Sequence, residues 1–389
     1  MDFELTEHQR LIQEGIRETV RDFGLEYWRE KDRAHAFPTE LWQTLGRGGW
    51  LGVAMPEEFG GAGQGILELA LVVEEACRAG GGSTLSQLFM TTPVFGGETV
   101  KRHGSEEQRR RYLPKIASGE IDFCMALTEP NAGSDTLAIE TRAVREGDMY
   151  RINGQKVFIT AIDRAQRVLV IVRTTPASEA PSRSFGISLF LADTKAEGLS
   201  YQSLEKVGTH CIDSFTVFFD DVRVPADELV GDEGKGWTCI LDTLNAERVV
   251  TAAGCIGTAD IALKLACDYA AERVVFGRPI GANQGIQFPL AEIKVEVEMA
   301  RLMNQKAAWL YDRGENAGAE ANMAKYLAAE VAFRACDRAM QTLGGYGYAA
   351  EYHLERLWRD VRLFRLAPVT QEMILNYIGR HVLGMPRSY

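Results

Sequence analysis

Several things are scarce in this 389-residue chain, and each scarcity removes a class of function. Positive charge is in deficit: 43 Lys and Arg stand against 54 Asp and Glu, a net charge of −11. A surface this acidic repels phosphate backbones, so nucleic-acid binding is not expected. Cysteine is sparse, with seven residues, an odd number, and no Cys-x-x-Cys spacing. That pattern argues against a disulfide framework and for a reducing compartment. Long apolar runs are missing too. The longest charge-free stretch, 79–97, is broken by Gly80, Gly81, Gly82 and Pro93 and is rich in Ser and Thr, which makes it a poor membrane span. Residues 1–10 are polar, with no signal peptide visible. The expectation is a soluble, cytoplasmic protein.

Catalytic signatures are equally thin. There is no G-x-x-x-x-G-K-[ST], no H-E-x-x-H and no G-x-S-x-G. The six histidines are scattered without ligand spacing, so no metal site is expected. Residues 345–350, Gly-Tyr-Gly-Tyr-Ala-Ala, fit a loose G-x-G-x-x-A. They follow a helical pattern rather than a strand, so a helix–helix turn is the better reading.

What is present is ordinary globular composition, 46% hydrophobic and 25% charged, at a length that predicts two or three domains. The first part reads as helical. Thr6 and Gln9 make a capping box, followed by Leu11, Ile12, Ile16 and Val20 at helical spacing. Pro38 restarts a helix, and 67–77 reads as a buried one. Near Asp122 the pattern changes to β-prone runs at 149–160, 167–173, 186–192 and 215–224. Asn153-Gly154 predicts a hairpin turn inside the first of these. Short strands at this spacing predict a small antiparallel barrel or sandwich. From Trp237 the chain is helical again, with long apolar-striped segments ending at Gly344-Gly345, a glycine stop. The predicted class is α+β multidomain: a helical N-terminal domain over 1–122, a middle β domain over 123–230 and a C-terminal four-helix bundle over 231–389.

Residues 126–135, Ala-Leu-Thr-Glu-Pro-Asn-Ala-Gly-Ser-Asp, form a loop rich in backbone N–H groups and hydroxyls, suited to a flavin edge or an anionic tail. This string strongly resembles the signature of the acyl-CoA dehydrogenases. Further segments match the same family in order. They are 272–280 (Glu-Arg-Val-Val-Phe-Gly-Arg-Pro-Ile) with Asn283-Gln284, 341–348 (Gln-Thr-Leu-Gly-Gly-Tyr-Gly-Tyr) and 351–360 (Glu-Tyr-His-Leu-Glu-Arg-Leu-Trp-Arg-Asp). The resemblance covers essentially the whole chain. It implies FAD, an acyl-CoA substrate, electron transfer to an electron-transfer flavoprotein, and a homotetramer built as a dimer of dimers in which a neighbouring subunit completes the site. By motif match, Leu127, Thr128, Gly133 and Ser134 would line the flavin. Phe158, where many relatives carry Trp, and Thr160 would cover its face and edge. Arg273 would pair with the pyrophosphate. Phe276, Gln284, Gln341 and Gly345 would hold the ADP half, with Thr370 and Glu372 at the C-terminal side.

The family's reaction takes a proton from the carbon beside a thioester carbonyl, which needs a carboxylate in a dry pocket. In most relatives this is the Glu of a Tyr-Glu-Gly-Thr string. Here the matching stretch is Ala367-Pro368-Val369-Thr370, so Pro368 stands in the Glu position and offers neither a carboxylate nor an N–H. A minority of relatives, resembling the isovaleryl-CoA and long-chain enzymes, carry the base on a bundle helix just before an Arg. This chain has Asn245-Ala246-Glu247-Arg248 there. Glu247 is therefore the expected base, and Ser134, Asn245 and Arg248 are the expected substrate contacts. The competing reading is a non-oxidative elimination of the desulfinase type. Relatives of that type lack an acidic residue at the bundle-helix position, so Glu247 favours dehydrogenation.

Overall fold

A computed structural model describes residues 4–388. The chain opens on the helix Glu7–Thr19, whose predicted box is formed: Thr6 Oγ1 accepts from the Gln9 N–H, and the Gln9 side chain accepts from the Thr6 N–H. Helices Leu25–Ala34 and Thr39–Arg47 follow. From Ile66 to His103 the backbone is helical almost throughout, α turns alternating with π turns at Cys77–Gly81 and Met90–Glu98. The charge-free stretch lies here, and it is buried protein core rather than a free apolar span.

The middle of the chain forms one eight-stranded sheet folded into two lobes. Leu199–Leu204, Ser214–Pro225, Met149–Thr160 and Arg142–Glu146 make one lobe; Phe123–Ala126, Arg167–Arg173, Ile187–Asp193 and Leu229–Val230 make the other. They join only at the pair Arg142–Arg173. Neighbouring strands are antiparallel except at that junction and between Phe123–Ala126 and Arg167–Arg173, which are parallel. The strand Arg167–Arg173 is apolar without alternation because both its faces are covered. Val168, Val170 and Val172 pack inside the sandwich against Tyr150, Phe190 and Val217, while Leu169 and Ile171 pack against Tyr112, Leu113 and Ile116 of the N-terminal helices.

The predicted Asn153-Gly154 hairpin is not a turn. Met149–Thr160 is a single strand, and its register against Ser214–Pro225 slips between Ile152 and Gly154, a β-bulge. The true hairpin turns at Gly147-Asp148, where Glu146 pairs with Met149 and Gly147 has φ +68°. Asn153 and Gly154 fail to turn because the strand on either side continues along the same partner, and Asn153 instead bonds Asp221 across it.

The C-terminal part packs Gly236–Glu272, Gln284–Asp312 and Gly318–Leu343 with the shorter Gln371–His381. Gly236–Glu272 is apolar and long enough to cross a membrane by composition, but 83% of its most apolar window is buried inside the protein. It packs against Gly318–Leu343, and both helices carry fully buried alanines (Ala252, Ala259, Ala266; Ala324, Ala328, Ala335). Gly318–Leu343 ends where predicted, at Gly344 with φ +61°. The bundle is locked to the N-terminal helices by Asp312, whose carboxylate accepts from the Ile66 and Leu67 N–H groups at 2.7 and 3.0 Å, capping Ile66–Ala76 from a distant part of the chain.

A Cβ at residue 154 would lie 2.5–2.8 Å from Thr141 atoms, with φ at +151°. Gly154→Ala should therefore lower the unfolding free energy by about 1–3 kcal/mol, measured by urea denaturation. A neutral result would mean that the bulge relaxes freely.

Candidate active site

Glu247 lies in the N-terminal half of Gly236–Glu272 among fully buried neighbours, Ala246, Val249 and Val250, and is itself 3% exposed. Among the described residues its Oε2 has no hydrogen-bond partner. Dehydration disfavours the charged form and pushes the carboxyl up to about 8, against the downward pull of Arg248 and Lys325. Arg248 is also buried; its Nη1 donates to Asn245 Oδ1 at 2.8 Å, its Nε has no partner, and burial lowers its proton affinity. The predicted trio Asn245, Glu247 and Arg248 thus shares one helical turn in the interior.

Lys325, from Gly318–Leu343, reaches the same region. It is fully buried, its Nζ donates to the Val369 carbonyl at 2.6 Å, and burial brings it down to about 8. The loop carrying Pro368 is thereby tied to Gly318–Leu343. Thr370 is the N-cap of Gln371–His381, its side chain accepting from the Met373 N–H, and Glu372 is exposed in the first turn. Sequence reasoning passed over Lys325, although it falls on the inward stripe Ala321, Lys325, Ala328, Ala332, where a charge is out of place.

The loop after Phe123–Ala126 is organised by a second buried lysine that sequence reasoning also missed. Lys156 donates to the Leu127 carbonyl at 2.9 Å and to Glu129 Oε1 at 2.8 Å; Glu129 in turn accepts from the N–H groups of Glu140 and Thr141. The Val157 N–H donates to the Thr128 carbonyl at 2.9 Å. Leu127, Thr128, Phe158 and Thr160 are thereby drawn together. Phe158 has φ +59° and is 68% exposed, and Thr160 shares a hydrogen bond with Ser214. Gly133 and Ser134 are exposed, with open space around Gly133.

The remaining predicted residues lie elsewhere. Arg273, Gln341 and Gly345 line a surface cleft of about 690 Å³ with Tyr269, Tyr346 and Glu351. Among the described residues Arg273 has no carboxylate within ion-pair distance. Phe276 is outside the cleft, fully exposed at the tip of the small hairpin Val274–Val275 and Arg278–Pro279, and Gln284 is exposed at the start of Gln284–Asp312.

Sequence models of the acyl-CoA dehydrogenase N-terminal, middle and C-terminal domains match residues 6–120, 124–222 and 234–383. The chain is 43% identical over 386 residues to the acyl-CoA dehydrogenase FadE12 of Mycobacterium tuberculosis, covering 99% of this chain and 98% of that one. The chain belongs to the acyl-CoA dehydrogenase family. It is also similar to a solved glutaryl-coenzyme A dehydrogenase in complex with glutaryl-CoA, with 32% identity and a TM-score of 0.95 over 100% of this chain and 98% of that one. A chain solved in work on the electron transferring flavoprotein of Acidaminococcus fermentans has 33% identity and a TM-score of 0.94 over 98% and 100%.

Acyl-CoA dehydrogenases are oxidoreductases acting on CH–CH bonds, and the family binds FAD. The residues present fit that cofactor. An unpaired guanidinium in a roomy cleft suits a pyrophosphate. The ring of Phe158 is left bare at a strained backbone position, and the glycine-containing loop beside it is open.

Burying Glu247 has a cost that depends on pH. From the ordinary value of 4.5 up to about 8, the folded state holds a proton that the unfolded state has released. Stability therefore falls as pH rises across that window and levels off above it. Glu247→Gln should be as stable as the parent below pH 4.5. It should gain progressively to on the order of a few kcal/mol at pH 8, read by urea unfolding at a series of pH values. Parallel curves would show that the carboxyl is hydrated.

Proposed function

We propose that this acyl-CoA dehydrogenase introduces an α,β double bond into an acyl-CoA thioester, with Glu247 as the base. The observation that carries the reading is the buried Glu247 carboxyl with one free oxygen, in a chain where Pro368 stands in the place of the family's usual glutamate. A carboxylate made basic by dehydration can take the weakly acidic α-proton at a working pH near 8. The proton passes from Cα to Glu247, and the electron pair left behind becomes the double bond as the hydride departs from Cβ. FAD, when bound, supplies the acceptor for that hydride. Arg248 and Asn245, held together beside the base, orient the thioester and its CoA portion. Leu127, Thr128, Gly133, Ser134, Phe158 and Thr160 hold the flavin end; Thr370 and Glu372 lie at the C-terminal side. We assign electron-transfer flavoprotein as the acceptor of the electrons, and the cytoplasm as the setting, in keeping with seven free thiols.

Arg273, Phe276, Gln284, Gln341 and Gly345 belong in this scheme to a neighbouring subunit's cofactor. From Glu247 to the end of its helix is about 37 Å, a long way to stretch one dinucleotide. A partner surface is available. Phe288, Val295, Leu302 and Trp309 recur every seven residues along Gln284–Asp312, with Met299 between, and all are about half exposed. This stripe, about 32 Å long, and the bare Phe276 support a homotetramer.

Glu247→Gln should retain FAD and acyl-CoA binding while turnover falls by about 10²–10⁴. The parent's kcat/KM should climb with pH and reach a plateau above about 8. Turnover by Glu247→Gln at the parental rate would refute the assignment. Val295→Glu combined with Leu302→Glu should reduce the mass seen by light scattering and lower the FAD content; an unchanged mass would place the subunit contact elsewhere.

A further inference from the structure

Lys325 has a duty that core packing does not account for. A buried ammonium costs several kcal/mol unless it is satisfied, and a carbonyl alone, here that of Val369, meets only one of its three donors. No ion pair joins it to Glu247; the two side chains sit on the packed helices Gly318–Leu343 and Gly236–Glu272, and Lys325 pulls the Glu247 carboxyl down less than Arg248 does. That arrangement is selective. A direct ion pair would occupy an oxygen of the carboxylate, whereas an ammonium held on a carbonyl leaves Oε2 free.

We propose that Lys325 is a positioning residue for the reaction: anchored on the Val369 carbonyl, it holds the Pro368 loop in place and presents its ammonium from the helix packed against that of Glu247. This rests on Glu247 being the base. The charged and titratable groups facing the pair come from three elements. Arg248 and Cys255 are on the same helix as Glu247, Lys325 is on Gly318–Leu343, and Glu372 faces Lys325 from Gln371–His381, where Tyr377 faces Arg248. Arg248 is turned toward Asn245, so Lys325 is the cation contributed by a separate helix.

The two parts of the role are separable. Lys325→Gln removes the charge and keeps an N–H for the Val369 carbonyl; Lys325→Met removes both; Lys325→Arg keeps a charge at every pH. In the holoenzyme, the rising limb of kcat/KM against pH should move upward in Lys325→Gln, giving about tenfold lower kcat/KM at pH 7 at the parental FAD content. Lys325→Met should show the same displacement together with a raised KM for acyl-CoA, because the loop is released. Lys325→Arg should leave the limb at or below its parental position. Difference infrared spectroscopy against Glu247→Gln reads the carboxyl directly, and its protonated band should persist to higher pH in Lys325→Gln. That band is independent of turnover, so an unmoved band overturns the role of Lys325. Turnover by Glu247→Gln overturns the base itself. Should the neutral variants fail to fold, an upward limb in Lys325→Arg would equally defeat the proposal.

Discussion

A carboxylate works as a base near neutral pH only where water is kept from it, and here the exclusion of water is a property of helix packing. Glu247 is dry because Gly236–Glu272 packs against Gly318–Leu343 and because the N-terminal helices lie against it. Lys325 sits on the second of these helices and holds the Pro368 loop through the Val369 carbonyl. Loosening the contact would hydrate the carboxyl and return its proton affinity to the ordinary range, so chemistry and packing are the same requirement at this point.

Buried cations recur as fasteners of irregular backbone. Lys325 holds Val369, and Lys156 holds Leu127. Arg356 donates to the carbonyls of Gly80 and Gly81, and Arg173 donates to those of Leu137, Ile139, Arg183 and Phe185. Each takes a loop carbonyl that has lost its regular partner and gives it a charge-assisted one. The protein can therefore keep non-repetitive segments near its interior, which is where a cofactor-binding loop has to be.

Much of this was readable in the residues. The Thr6 box, the glycine stop at Gly344 and the buried helix near 66–76 are local, and local rules described them correctly. Asn153-Gly154 shows where local rules end. Its turn preference was outweighed by two partners, Arg142–Glu146 and Ser214–Pro225, that hold the strand straight through it, and the turn went to Gly147-Asp148 instead. Lys156 and Lys325 were passed over because a lysine in a sequence carries no mark of burial. Only their neighbours along an inward stripe hint at it, and their partners lie on other elements.

The order helix, sheet, helix and the placing of a glutamate before an arginine at 247–248 are determined by the sequence alone, because they follow from periodicity and motif within short windows. How strongly Glu247 holds a proton was decided only by the tertiary structure. Dehydration, the largest influence on it, depends on groups far apart in the chain, and no short window contains them.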